Sequence, residues 1–108
     1  MSSVTNLIIH FSCSENRNDI LNEINQYKIR ENNLDIVSVD DFRLPKKWYG
    51  GTKMLEAELL LGAYNYLDID DLILFLKEIN WQHPEDVQIM YRAQDDFKFI
   101  LKDLFPED

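Results

Sequence analysis

Three side chains in this sequence have the types and spacing that could support catalysis: His10, Glu56 and Glu58. His10 lies in an alternating apolar run, VTNLIIHF, and the two glutamates stand two residues apart in a second such run, LEAELLLGAYNYL. If the two runs are neighbouring strands, His10, Glu56 and Glu58 share one sheet face, with the glutamates roughly 6–7 Å from one another. An imidazole beside a carboxylate can serve as a general base, and the trio can ligate a metal. Ordinary strand alternation produces the same spacing, so the expectation is a solvated or partner-facing surface with no metal and no cofactor. His83, in NWQHPED, lacks a companion at zinc-ligand spacing. Cys13 has no histidine or second cysteine near it in sequence and reads as structural. Gly50-Gly51-Thr52-Lys53 resembles part of a phosphate-binding loop, but it lacks that motif's full spacing and precedes a strand instead of a helix. The expected function is therefore non-enzymatic.

The elements that would position these residues alternate along the chain. At 108 residues it is expected to be one domain, 1–108, with one core. Val4 to Phe11 reads as a first strand, with Leu7, Ile9 and Phe11 on one face. Ile20, Leu21, Ile24 and Tyr27 recur at helical spacing, which predicts a helix from about Glu15 to Ile29, capped by Ser14 and ended by Asn32-Asn33. Leu34 to Val39 reads as a second strand, followed by a long loop from Asp40 to Thr52 that carries Trp48, Tyr49 and the Gly50-Gly51 turn.

The stretch from Met54 to Leu67 has helical composition but strand periodicity. Leu55, Ala57, Leu59, Leu61 and Ala63 alternate without a break, and Gly62 would cost a helix interior about 1 kcal/mol. It reads as a central third strand, with a bulge near Gly62. Asp68 caps a second helix with Asp70 and Asp71 in its first turn. Val87 to Arg92 and Phe97 to Leu101 read as a hairpin of two further strands. The order β-α-β-β-α-β-β predicts an α+β fold of the ferredoxin-like split βαβ kind with one strand added: an antiparallel sheet, two helices on one face, and the first and third strands at its centre.

Charge is the most informative part of the composition. Residues 1–54 hold seven Lys/Arg and seven Asp/Glu, whereas residues 55–108 hold four and thirteen, so the net −9 belongs wholly to the C-terminal half. Nucleic acid and anionic membrane are poor direct partners for such a surface, and a cationic protein is its natural complement. The lone cysteine, the absence of a basic leader and the absence of an apolar run near 18 residues point to the cytoplasm. The expected partner-binding residues are Trp48, Tyr49, Tyr64 and Tyr66 as aromatic anchors, and Glu56, Glu58, Asp70, Asp71, Asp95 and Asp96 as the acidic field. Monomer or weak homodimer is the expected state.

Size, acidity, the single cysteine, the loop WYGG and the absence of an enzyme motif together resemble the small acidic immunity proteins of bacterial toxin–immunity systems, contact-dependent growth inhibition among them. That resemblance implies a cytoplasmic protein that binds and neutralises a cationic toxin domain, many of which are nucleases. Two other classes fit the same sequence. One is a regulator or anti-defence protein that mimics nucleic acid charge. The other is a small enzyme on a ferredoxin-like dimer, using His10 with Glu56 or Glu58.

Overall fold

The computed structural model of the chain describes residues 4–39 and 57–106. Their elements are β1 (Val4–Phe11), α1 (Arg17–Ile24), β2 (Lys28–Ile29), β3 (Asn32–Asn33), β4 (Val37–Ser38), β5 (Glu58–Asn65), α2 (Ile69–Lys77), a single 3-10 turn at Pro84–Asp86, β6 (Gln88–Ala93) and β7 (Ile100–Asp103). The architecture is α+β. Five strands form an antiparallel sheet in the order β4-β5-β1-β6-β7, and β2 with β3 makes a separate two-stranded ribbon.

Alternation builds the core. Thr5, Leu7, Ile9 and Phe11 of β1 are buried, while Asn6, Ile8 and His10 face the other way. Ile20 and Ile24 of α1 and Leu72 and Leu76 of α2 join the Leu7, Ile9 and Phe11 face in one cluster, so both helices serve the same side of the sheet. Each such side chain contributes roughly 1.5–3 kcal/mol by leaving water. Trp81 closes this core: its ring lies 5.7 Å from that of Phe11, and its indole N–H donates to the Leu76 carbonyl at 2.9 Å.

The helix ends are set by side chains that compete for backbone donors. Asp68 accepts the Asp71 N–H and starts α2, as its position predicts. α1 starts later than Ser14 predicts, because Asn16 accepts the Asp19 N–H and takes the cap. Glu15, in turn, is buried and accepts the backbone N–H groups of Gln82 and His83 at 3.1 and 2.7 Å, which ties the start of α1 to the distant 80–86 loop. α1 also ends early, at Ile24 instead of Ile29. The Asn25 amide then accepts the Ile36 N–H at 2.8 Å and donates to the Ile36 carbonyl at 3.2 Å, as a paired strand would. Tyr27 to Asn33 becomes the β2–β3 ribbon, with Arg30 at a φ of 59° in its turn. Leu34 and Ile36 are buried as the alternation predicts, but only Val37 and Ser38 pair as β4.

The 58–65 stretch is a strand, and it lies between β4 and β1. Two expectations about it are corrected. No bulge occurs at Gly62: β1 and β5 pair without interruption from Val4↔Asn65 to Phe11↔Glu58. The faces are also the reverse of those expected. Glu58 and Leu60 point into the core, whereas Leu59, Leu61 and Ala63 lie on the face away from the helices. The uninterrupted pairing with β1 decides this, because a period of two fixes every side chain once one pair is set.

Gly62 has a specific reason to be glycine. Its backbone angles are ones any residue adopts, but a methyl there would collide with the ring and hydroxyl of Tyr64, which folds back over it on the core side. Gly62→Ala is expected to cost about 1–3 kcal/mol by displacing that ring. In a Tyr64→Ala background the same change should be neutral or stabilising, since Ala suits a strand better than Gly. Denaturant titration of the four proteins in this double-mutant cycle reads the coupling directly.

Candidate partner-binding surface

Strand register brings the acidic clusters together. β5 ends at Asn65, Tyr66 turns the chain at a φ of 62°, and Asp68, Asp70 and Asp71 follow in the cap and first turn of α2. β6 ends at Ala93 and leads into the Asp95–Asp96 turn. β1 lies between β5 and β6, with Val4 opposite Asn65 and Thr5 opposite Ala93, so both turns leave the same end of the sheet. The Val4 N–H donates to Gln94 Oε1 at 3.1 Å and pins the second turn to that end. Two strand spacings, about 10 Å, separate the roots of the two acidic turns.

The groups at this end are exposed but held. Asp70, Asp71, Asp95 and Asp96 are all exposed. Asp71 Oδ2 accepts the Tyr27 hydroxyl at 2.7 Å, and Asp96 Oδ2 accepts the Ala93 N–H at 3.3 Å. Tyr66 is 48% exposed, with the Arg30 guanidinium 3.9 Å from its ring centre. Asp35 lies close enough to raise the Tyr64 hydroxyl pKa.

The sequence-derived candidates therefore fall into three groups. Tyr66, Asp70, Asp71, Asp95 and Asp96 are assembled at one end, and Tyr64 lies beneath it, half-buried on the core side. Trp48, Tyr49 and Glu56 lie outside the described residues. Glu58 is at the opposite end of β5 and only 3% exposed, with Oε2 3.5 Å from Arg17 Nη1. That carboxylate is spent inside the fold and is not presented to a partner.

The same inversion separates Glu58 from His10. His10 faces away from the helices, level with Leu59 and Gln88, and lines a depression of about 270 Å³ with Ile8, Leu59, Gln88, Met90 and Leu101. Its Nδ1 is screened from solvent and has no hydrogen-bond partner among the described residues. A His10–Glu58 acid–base pair is thus excluded, and Glu56 lies outside the described residues. Elsewhere, ligand atoms of His83, Glu85 and Asp86 lie within 4.8 Å of one another on the 3-10 turn, where both carboxylates are exposed. Among the described residues no helix is long and apolar enough to cross a membrane.

No protein-family model, no curated protein and no solved structure matches this chain. The surface chemistry alone carries the functional argument.

The acidic end has a signature in alkali. Burial, then the charge of Asp35, pushes the Tyr64 pKa up to about 12. Tyr27 is raised further, first by burial, then by the hydrogen bond it donates to Asp71 and by the charges of Asp71 and Asp68. Below pH 10.0, the ordinary tyrosine value, both hydroxyls keep their protons whether the chain is folded or not. Between pH 10.0 and about 12 the unfolded chain releases the Tyr64 proton while the folded chain holds it, so stability falls through that window. Tyr27→Phe with Tyr64→Phe should flatten the loss, measured as denaturation midpoints between pH 8 and pH 12.

Proposed function

We propose that this chain is a non-catalytic, cytoplasmic binding protein of the immunity type, which neutralises a cationic toxin domain, of nuclease class, by covering it with the acidic end of the sheet. The gathering of the α2 and β6–β7 acids at one end supports this reading most. Clustered carboxylates there sum to a field that a scattered set of the same size does not produce, and such a field steers a cationic protein into contact. Tyr66 supplies apolar area beside the charges, of the kind that slows dissociation. The strand order β4-β5-β1-β6-β7 supports a ferredoxin-like reading of the fold, in which β4, β5, β1 and β6 would be the second, third, first and fourth strands of a split βαβ unit and β7 an addition at the edge.

A partner captured from the native host by pull-down and identified by mass spectrometry supplies the test. Replacing Asp70, Asp71, Asp95 and Asp96 together by Asn keeps the hydrogen-bond acceptors but removes four charges. Association measured by stopped flow should slow by about tenfold or more at low salt, and its salt dependence should flatten. An unchanged rate and slope would show that the acids serve solubility only.

A further inference from the structure

The sheet face away from the helices carries a row of apolar side chains that crosses all five strands, and among the described residues no element packs over it. Ile8 of β1, Leu59 and Leu61 of β5 and Met90 of β6 are half-buried there, Val37 of β4 is 62% exposed and Leu101 of β7 is 56% exposed. Phe99 reaches back across it to line a depression with Asn6, Ile8, Leu61 and Ala63. We propose that this face is the interface of a homodimer, two copies of the chain packing sheet against sheet about a two-fold axis.

Charge and symmetry favour a second copy over a different partner, and the area fits a weak dimer. Five strands at about 4.8 Å spacing span roughly 20–24 Å, and the eight residues of β1 run about 26 Å. The other strands are shorter, down to two residues in β4, so the footprint is about 450 Å² before side-chain relief is counted. This fits the low end of interfaces, under about 1,200 Å² for the two partners together. The footprint also lies within the roughly 300–600 Å² of the largest patch on a typical monomer, a size that is often functional.

The charges fit self-association better than capture of a cation. In a chain of net −9, this face shows among the described residues one anion, Asp103, and one cation, Arg92. They stand at opposite ends of the paired strands, since Asp103 is level with Gln88 while Arg92 is four residues further along β6. An axis lying in the face and running across the strands reverses strand direction between copies. It brings Asp103 of each copy toward Arg92 of the other, as an isologous contact requires. It also sets the two acidic ends at opposite ends of the pair, where repulsion between them is screened beyond about 10 Å. Those ends stay open, so this inference does not depend on the toxin-binding proposal.

Sedimentation equilibrium of the full chain tests the interface. A species of twice 12.9 kDa is expected at tens of micromolar, tightening as salt is raised because the contact is apolar and the net charges repel. Leu101→Lys, and separately Val37→Lys, should return the protein to monomer with an unchanged circular dichroism spectrum and cooperative melt. Both side chains are more than half exposed, so neither change disturbs the core. A wild-type chain that stays monomeric at all concentrations, or a dimer that both lysine variants leave intact, would overturn the proposal. A dimer that dissociates as salt rises would overturn it too, because that dependence belongs to an electrostatic contact.

Discussion

β1 pairs with β5 on one side and β6 on the other, in unbroken antiparallel register, and every surface of this molecule takes its character from that pairing. One set of partners, Ile9 opposite both Leu60 and Ile89, places three apolar side chains in the core at once. A period of two then assigns the rest: Glu58 goes inward, Leu59, Leu61 and Ala63 go outward, and His10 is turned from both the helices and Glu58. The ends of the strands are fixed by the same pairing, which is why acids far apart in sequence, Asp70 and Asp95 among them, come to one end. A slip of a single residue would exchange the faces.

How much of this was legible in the sequence follows from the same period. Strand identity was legible in β1 and β5, because alternation over eight residues has no helical equivalent, and Asp68 was legible as a cap. The face of β5 was not. Leu59, Leu61 and Ala63 look like a core row, and only pairing with β1 shows that Glu58 and Leu60 take the inner side. The partner of Glu58 is Arg17, 41 residues away, and no local pattern announces it. The early end of α1 was hidden for a similar reason. Tyr27 fits helical spacing, yet Asn25 bonding to Ile36 and the turn at Arg30 draw the chain into a ribbon. Among the candidate site residues, Asp70, Asp71, Asp95 and Asp96 were found by charge and Tyr66 as an aromatic, and their meeting at one end required the register.

The two exposed regions rest on different physics. At the acidic end, solvated carboxylates act through a summed field that salt weakens, while local hydrogen bonds to Asp71 and Asp96 hold the scaffold under them. On the open face, aliphatic and aromatic side chains act through area removed from water, which salt does not weaken. A long apolar row on the outer side of a sheet costs solubility unless it is covered, and Glu58 on the inner side costs desolvation unless it is paired. Both departures from the simplest pattern lie on the same strand, β5. They make that strand the place where the demands of the core and of the surface meet.

The register of β1 against β5 is therefore the quantity to measure, and cross-strand nuclear Overhauser effects on isotopically labelled protein measure it directly. Backbone contacts pairing Leu7 with Gly62 and Ile9 with Leu60, together with side-chain contacts from Leu60 to the buried core cluster and none from Leu61, are the expected result. Contacts displaced by one residue, with Leu59 and Leu61 touching the helices and Leu60 facing away, would contradict the account.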